Sequence, residues 1–285
     1  MNVFVIGIGL IGGSMVTDIK EVYPEAVIFG IDKNGEHLKK ALDLKLIDDK
    51  AVFEDLDRAD IVIISVPVDV SLDIIPKVLN KITSETIVFD VGSTKKPICD
   101  ILTEHPKRQN FIATHPIAGT EFSGPTAALK NLFRGKVTII CEIEKTAFKL
   151  QKKALELFQA IGMQIRYMNP ISHDKHIAYM SHLSHISSFM LGKTVIDEEQ
   201  NEKDIFDMAG SGFASTVRLA KSSPEMWTPI FQQNKKYVIE GLEAYINNLS
   251  QFKTLLMEDN YEAIYNDMQN VNKIKEILNG IETKK

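Results

Sequence analysis

The sequence has few of the residues that mark disulfide-rich, membrane or nucleic-acid-binding proteins. Only two cysteines, Cys99 and Cys141, occur in 285 residues, and they are far apart. Neither a disulfide framework nor a zinc site built on thiolates is therefore expected. Apolar runs such as residues 61–68 are too short to span a bilayer. The 33 basic and 38 acidic residues give a net charge of −5. Nucleic-acid binding is therefore not expected, because binding to phosphates needs a basic surface.

A secretory leader is not expected either. The N-terminus is apolar, but no basic segment precedes the apolar run, and glycines interrupt it at regular spacing. We therefore expect a cytoplasmic protein. With 44% apolar and 25% charged residues, the composition is that of an ordinary globular protein, long enough for one large domain or two medium ones.

The pattern of apolar residues predicts two domains that meet near Pro170. Before it, short apolar stretches alternate with helical ones at residues 35–44, 71–81 and 145–161, which predicts a parallel sheet covered on both faces, the doubly wound α/β arrangement. After it, helical stretches at residues 174–198, 223–257 and 261–278 predict an all-α domain. The predicted domains are residues 1–170 and 171–285. The predicted strands are residues 2–6, 27–31, 61–66, 86–91, 111–114, 136–141 and 164–168.

Gly7, Gly9 and Gly12 form a GxGxxG motif that follows the first predicted strand and opens a helix. This context is the one in which the motif binds a dinucleotide. Gly7 permits a tight turn, Gly9 lets the backbone approach a pyrophosphate, and Gly12 lets the helix pack closely on the strand. The free N–H groups at the start of the helix favour the anion.

Asp32 supplies a second, independent sign of a dinucleotide site. It ends the second predicted strand, 20 residues beyond Gly12, where a carboxylate binds the ribose diol and repels a 2′-phosphate. NAD is therefore predicted rather than NADP, and the adjacent Lys33 weakens that preference. The alternative is that the glycines serve only a turn and that Asp32 is a surface charge. We favour the dinucleotide site, because the strand, the glycine loop, the helix and the acidic residue all occur at the spacing that such a site needs.

Three polar segments follow predicted strands, at residues 65–67, 92–95 and 115–121. Ligands bind at the carboxyl ends of the strands in open α/β sheets, so these segments are candidates for the active site. His115 is a suitable group to take a hydroxyl proton as hydride leaves, with activity falling as the pH drops through about 6.5. The alternative is that His115 only caps the turn after its strand.

Four histidines crowd the start of the predicted helical domain: His173, His176, His182 and His185. At about 100° per residue they do not converge on one helix face, and no HExxH pattern is present. We therefore predict no metal site. His182 and His185 do share a face, and they either line a polar cleft between the domains or form ordinary hydrogen bonds.

Arg218 lies on a short helical stretch after a predicted loop at residues 208–213. An arginine beside apolar residues often extends over the surface with its charged end in water. The alternative is a bidentate clamp for a substrate carboxylate, which the planar guanidinium suits.

Together these segments resemble the prephenate dehydrogenase family, which includes arogenate dehydrogenases of tyrosine biosynthesis. The resemblance covers nearly the whole chain. It rests on GIGLIGGS at residues 7–14, DVGSTK at 90–95, HPIAGTEFSG at 115–124, SHLSH at 181–185, and AGSGF followed by TVRLAKSSPEMW at 209–227. HPIAGTEFSG is far more specific than the glycine loop.

The resemblance implies a Rossmann domain joined to a helical dimerisation domain, with the active site in the cleft. It implies NAD-dependent oxidative decarboxylation of prephenate to 4-hydroxyphenylpyruvate by a homodimer. His115 matches the residue that polarises the ring hydroxyl of the substrate, and Ser93 the residue that orients this histidine and contacts nicotinamide. The other implied substrate contacts are Thr120, His185, Arg218 (on a carboxylate) and Trp227. With the loop motif, the expected cofactor-binding residues are Gly7, Gly9, Leu10, Ile11, Gly12, Asp32, Ser65, Pro67 and Ser93.

The sequence departs from the family pattern at three serines. Ser184 and Ser211 stand where proline and glycine are frequent, and Ser215 stands where some members have an acid that pairs with the substrate arginine. The last departure leaves open how access to the site is gated. We expect no regulatory ACT-like or chorismate mutase segment after the last helix, so tyrosine, where it inhibits, acts at the active site.

Three alternatives to a prephenate dehydrogenase follow from the sequence. An arogenate dehydrogenase has the same fold, and its substrate carries an amino group in place of the keto group. A non-catalytic NAD-sensing protein would keep the glycine loop and Asp32 but need not keep Ser93, His115 and Arg218 together. A hydroxyacid dehydrogenase with a helical second domain is disfavoured by the HPIAGTE segment.

Overall fold

The computed structural model describes residues 1–199 and 205–282, in which one eight-stranded sheet precedes a series of helices. The spatial order of the strands is 3-2-1-4-5-6-7-8. The first six strands thus have the order typical of dinucleotide-binding domains, which opens a crevice at the carboxyl ends where the order reverses. The strands are β1 (Asn2–Ile6), β2 (Val27–Ile31), β3 (Asp49–Lys50), β4 (Ile61–Ile64), β5 (Ile87–Asp90), β6 (Phe111–Pro116), β7 (Val137–Cys141) and β8 (Gln164–Tyr167).

The sheet differs from the prediction in two strands. β7 pairs with β6 in antiparallel direction, so the sheet is mixed rather than fully parallel. The connection at residues 117–136 carries only a short 3₁₀-helix, Pro125–Ala127, and an antiparallel neighbour needs no crossover helix. The two-residue β3 was not predicted because both of its side chains are exposed and polar, which leaves no apolar pattern.

Helices cover both faces of the sheet, as the doubly wound prediction requires. One core contains Met15 and Phe158, and the other contains Ile75 and Ile98. Apolar side chains on both sides of the sheet are thus buried away from water. This burial is the main contribution to the stability of such a fold. The helices of this part are α1 (Leu10–Val22), α2 (Gly35–Asp43), α3 (Val68–Lys81), α4 (Lys96–Ile101) and α5 (Phe148–Ala160).

The second half of the described chain is helical, but its helices are shorter than predicted. A π-helical turn at Ala178–His182 interrupts the first predicted helix, and Asn234 separates two helices predicted as one. The predicted loop at 208–213 is partly helical, because α8 begins at Ser211. The helices are α6 (Pro170–Ile177), α7 (Leu183–Glu199), α8 (Ser211–Thr216), α9 (Pro224–Gln233), α10 (Lys235–Met257), α11 (Tyr261–Val271) and α12 (Ile274–Glu282).

The chain forms two compact units, Met1–Lys235 and Lys236–Lys285. The first contains the sheet together with α6 to α9, and the second contains most of α10 and the two helices that follow. The domain boundary predicted near Pro170 stays a prediction. Within the described ranges, no helix has the length and apolar character that a membrane span requires.

A buried ion pair joins the ends of β5 and β6. The Lys95 ammonium contacts the Asp90 carboxylate and donates to the backbone oxygen of Thr114 at 2.7 Å. Asp90 in turn accepts from the Thr114 backbone N–H at 3.1 Å. Both charges are buried, and such pairs are stable only when further hydrogen bonds satisfy them, as they do here. The pair therefore joins the end of β5, which Ser93 follows, to the end of β6, where His115 lies.

Candidate active site

The glycine loop has the geometry that a dinucleotide site needs. Gly7 has a φ of +88°, and a Cβ there would lie 2.2 Å from the Ser65 backbone oxygen. A Cβ on Gly12 would lie 2.3 Å from the Gly7 oxygen, so neither position admits a side chain. Gly9 differs, because the nearest atom to its Cβ position is the Gly124 nitrogen at 4.0 Å. The backbone at Gly9 is thus open to an approaching phosphate.

The start of α1 is free of side-chain caps and of acidic residues. Gly9 is the N-cap, and Leu10 and Ile11 form the first turn. The N–H groups of a first helical turn have no partner within the helix, so they are available to an anion. The Ile11 side chain lies 3.9 Å from the Cβ position of Gly119, which brings the HPIAGTEFSG segment next to the glycine loop.

Asp32 lies at the end of β2 and is tied to the glycine loop. Its Oδ2 accepts from the Ile8 backbone N–H at 3.0 Å, and its Oδ1 accepts from the Asn34 N–H at 2.9 Å. The carboxylate retains acceptor capacity on both oxygens for ribose hydroxyls. Asp32 was predicted as a ribose ligand, but its hydrogen bond to the loop was not. These residues, with Ser65 and Pro67 after β4 and Ser93 after β5, fit a dinucleotide.

His115 lies on β6 and is 9% exposed. Its Nδ1 is 2.8 Å from Nε2 of His173, whose Nδ1 is 2.7 Å from Oδ1 of Asp174. The His115 ring is thus joined to His173, and within the described part of the chain no hydrogen bond joins it to Ser93. The orienting role of Ser93 therefore stays a prediction.

His115 is uncharged at neutral pH. Burial holds the pKa of its imidazole well below the ordinary value of 6.5, and the nearby His173 and Lys95 lower this pKa further. A neutral ring can accept a hydrogen bond through one nitrogen, as a general base must. The lowered pKa moves the expected acidic fall in activity below the pH of about 6.5 that the ordinary histidine value predicts.

Asp174 is an important residue of this site that was not predicted from the sequence. Its carboxyl group accepts from the backbone N–H groups of Lys95 at 2.8 Å and of Lys96 at 2.9 Å. It lies 79 residues after Lys95, so no local spacing could indicate this contact. The adjacent pair His173-Asp174 was the one available signal, and such a pair is common on solvated helices.

His182 and His185 both contact Trp227. The His185 ring stacks on the indole with centroids 3.5 Å apart, and His182 meets its edge at 5.7 Å. His182 Nδ1 also lies 3.2 Å from Nδ2 of Asn234, which donates to the Asp174 backbone oxygen at 2.7 Å. Burial lowers the pKa of His182 to about 4 and that of His185 below its ordinary value. Within the described residues, no cluster suited to a metal ion is found.

Arg218 forms an ion pair with Glu121 of the HPIAGTEFSG segment. Its NH1 donates to Oε2 of Glu121 at 2.8 Å, and half of the arginine side chain is exposed. No local pattern in the sequence indicated Glu121 as a partner of Arg218. Thr120 and Glu121 line an open depression of about 540 Å³ with Phe122, Ser123, Thr126, Ala127 and Leu129. The guanidinium thus sits beside an accessible surface.

Four buried side-chain nitrogens have no hydrogen-bond partner among the described residues: Nε of Arg108, Nε2 of His182, Nε1 of Trp227 and Nε2 of Gln233. Gln233 lies close to the strand-end segments, since its Oε1 accepts from Thr94 Oγ1 at 2.7 Å. Buried donors without partners are rare and cost free energy. Trp227 and Gln233 therefore offer N–H groups that a polar ligand can satisfy.

Comparison with known proteins relates nearly the whole chain to prephenate dehydrogenases. The family pattern described as "Prephenate dehydrogenase, nucleotide-binding domain" matches residues 15–167, and "Prephenate dehydrogenase, dimerization domain" matches residues 169–270. Prephenate dehydrogenase of Bacillus subtilis is 29% identical over 272 residues, which cover 93% of this chain and 72% of the relative.

Solved structures show the same fold. Prephenate dehydrogenase from A. aeolicus, in complex with hydroxyphenyl propionate and NAD⁺, is 33% identical, with a TM-score of 0.89 and 97% of each chain covered. Arogenate dehydrogenase of Synechocystis is 26% identical, with a TM-score of 0.77, and the match covers 98% of this chain and 100% of that one. The chain thus belongs to the prephenate dehydrogenase family of oxidoreductases.

Proposed function

We propose that this protein oxidises and decarboxylates prephenate to 4-hydroxyphenylpyruvate with NAD as hydride acceptor. The observation that carries the proposal is the buried, uncharged His115 at the carboxyl end of β6. The segment that follows it lies against the glycine loop. A hydrogen-bond acceptor is therefore available at the edge of the sheet where a nicotinamide would lie. The match to the A. aeolicus enzyme with its aromatic ligand supports the same reaction.

His115 holds the ring hydroxyl of the substrate while the ring loses hydride. Bound NAD⁺ supplies the acceptor for that hydride. The ring carboxylate leaves as carbon dioxide and the ring becomes aromatic. The proton that His115 takes from the hydroxyl returns to the same oxygen in the phenol product. The protein's task is to align the ring and to hold this proton.

Arg218 binds the side-chain carboxylate of the substrate in this proposal. Its guanidinium is held by Glu121 yet half-exposed, so one edge of the planar fork remains open to a second carboxylate. The unpartnered N–H groups of Trp227 and Gln233 are further donors for carboxylate oxygens. Prephenate carries two carboxylates on a small ring, which matches a site with one fixed cation and several neutral donors.

Glu121 favours arogenate as the second candidate substrate. Arogenate has an ammonium group beside its side-chain carboxylate, and a carboxylate next to the Arg218 anchor would pair with it. The similarity to the Synechocystis arogenate dehydrogenase agrees with this candidate. Measuring NADH or NADPH formation with prephenate and with arogenate, each with NAD and with NADP, decides between the two substrates.

Homodimer formation is also proposed. Considered by itself, the unit Lys236–Lys285 has many large apolar side chains exposed to solvent, which include Ile246, Leu249, Phe252, Leu256, Met268 and Val271. Apolar surface of this extent on a small unit marks a protein interface. The match of residues 169–270 to the family's dimerization domain supports a second copy of the chain as the partner.

The acidic side of the activity profile tests the role of His115. Because burial lowers the pKa of the ring, His115 stays neutral and active at pH 6.5 and becomes protonated only at lower pH. We expect kcat/KM to fall on the acidic side at a pH well below 6.5. His115→Asn should lower kcat by roughly 10²- to 10⁴-fold with little change in KM, as the loss of general-base assistance predicts.

The control for this measurement is His176→Asn, which changes an exposed histidine on α6. This variant should keep the wild-type rate and pH profile. An acidic limb centred at or above pH 6.5, or a near wild-type kcat in His115→Asn, would remove His115 from the proposed role.

Arg218→Gln tests the substrate anchor. If Arg218 binds a carboxylate in both ground and transition states, the variant should raise KM for prephenate and change kcat much less. A charge-assisted hydrogen bond contributes about 1.5–3 kcal/mol, so KM should rise roughly 10- to 150-fold. Arg218→Lys should recover only part of the loss, because lysine offers a point charge. Arg166→Gln, at an exposed arginine of β8, should leave KM unchanged. An unchanged KM in Arg218→Gln would place the anchor elsewhere.

Asp32→Asn tests the choice of cofactor. The amide oxygen can still accept from the Ile8 N–H, so the glycine loop keeps its hydrogen bond while the negative charge is removed. We expect the ratio of kcat/KM with NAD to that with NADP to exceed one in the wild type. The ratio should fall by about tenfold or more in the variant, since one like-charge contact is relieved. A wild-type preference for NADP would contradict the ribose assignment.

Sedimentation equilibrium tests the dimer. The chain has a mass of 32.0 kDa, and we expect twice that value at micromolar concentration. Leu249→Lys places a charge in the exposed apolar set and should shift the mass toward that of the monomer. Lys253→Gln, in the same helix, is the matched control and should leave the dimer intact. A mass of one chain at every concentration would contradict the proposal.

A further inference from the structure

A chain of buried hydrogen bonds leads from His115 to two neighbouring side chains on α6. His115 Nδ1 is joined to His173 Nε2, and His173 Nδ1 is joined to Asp174 Oδ1. We propose that His173 and Asp174 are positioning residues that hold His115 in the tautomer with its proton on Nδ1. The inference rests on the proposed function, because a free Nε2 on His115 is useful only where a substrate hydroxyl binds.

Asp174 determines which atom donates in each of these hydrogen bonds. Its two oxygens already accept from the backbone N–H groups of Lys95 and Lys96, at 2.8 and 2.9 Å. The same Oδ1 that accepts from Lys95 faces His173 Nδ1. An oxygen that takes a backbone N–H and faces a second nitrogen at 2.7 Å acts as an acceptor for both. His173 therefore carries a proton on Nδ1.

The tautomer of His173 in turn determines the tautomer of His115. Burial lowers the pKa of His173 below its ordinary value, although the neighbouring Asp174 raises it, so the ring is neutral with a single proton. That proton is on Nδ1, which leaves Nε2 of His173 as an acceptor. The partner of an acceptor must donate, so Nδ1 of His115 carries the proton. The remaining nitrogen of His115, Nε2, has a lone pair.

Burial disfavours the other tautomer of His115. His115 is 9% exposed, and His173 and Asp174 are each 2% exposed, so bulk water does not compete for these polar atoms. With Nδ1 of His115 unprotonated, two lone pairs would face each other across 2.8 Å. Buried polar groups without a partner are costly in a low-dielectric interior, so the other tautomer is disfavoured. The chain thus selects the tautomer that accepts a proton at Nε2.

Nitrogen NMR on the wild-type protein tests the inference without any substrate. The full chain is labelled with ¹⁵N-histidine, and two-bond ¹H–¹⁵N correlations distinguish a protonated ring nitrogen from an unprotonated one. The spectrum of His115→Asn identifies the His115 signals by their loss. Near neutral pH we expect Nδ1 of His115 to be protonated and Nε2 to be unprotonated. The opposite assignment would overturn the inference, whether or not any variant folds.

His173→Phe adds a kinetic test. The phenyl ring has a similar size to the imidazole but cannot accept from His115 Nδ1, so nothing holds the proton on that nitrogen. In serine proteases, a histidine in the wrong tautomer lowers kcat about 10⁴-fold. We expect kcat here to fall by roughly 10²- to 10⁴-fold, with KM for prephenate nearly unchanged. The His115 signals should show the proton on Nε2.

The controls separate this inference from the proposed function. His176→Gln, on the exposed side of α6, should keep wild-type kcat and the wild-type His115 signals. If His173→Phe keeps the wild-type kcat, or keeps the wild-type tautomer of His115, His173 and Asp174 are not positioning residues. If the wild type shows the expected tautomer but forms no NADH from prephenate or arogenate, the proposed function fails while the tautomer assignment stands.

Discussion

The carboxyl group of Asp174 is the contact on which the organisation of this site depends. It accepts from the backbone of Lys95 and Lys96, which follow β5, and from the ring of His173 on its own helix. One side chain therefore joins the segment after β5 to the first helix that follows the sheet. The hydrogen bond from Asn234 to the Asp174 backbone oxygen adds the end of α9 to the same point. Residues distant in sequence are held in one buried cluster.

The buried Lys95–Asp90 pair gives this cluster its electrostatic character. A positive charge that is buried near two imidazoles disfavours a second positive charge, and it contributes to the lowered pKa of His115 and of His173. The Lys95 side chain also contacts the backbone of β6, so a group that helps burial to keep His115 uncharged also helps to fix the strand that carries it. The same buried cation thus contributes to the position of β6 and to the charge state of His115.

The sequence predicted the parts of the molecule that depend on local patterns. The glycine loop, Asp32 and His115 follow strands recognisable by their apolar residues, and each lies at the expected edge of the sheet. The contact between His115 and His173 spans 58 residues, and neither ring carries a local signal of its partner. Helix breaks were missed for a similar reason. The Asn234 side chain contacts the Asp174 backbone oxygen and the His182 ring, and only folding brings these partners close to it.

The π-helical turn at Ala178–His182 has a consequence for how the chain can vary in length. Such a turn holds one residue more than an α-helical turn, and each residue rotates the helix beyond it by about 100°. Deleting one residue there would swing His185 away from the Trp227 indole and Ser188 away from the Thr216 backbone oxygen that it bonds at 2.6 Å. The spacing between His173 and His185 is therefore fixed, and insertions or deletions are tolerable only in segments outside it.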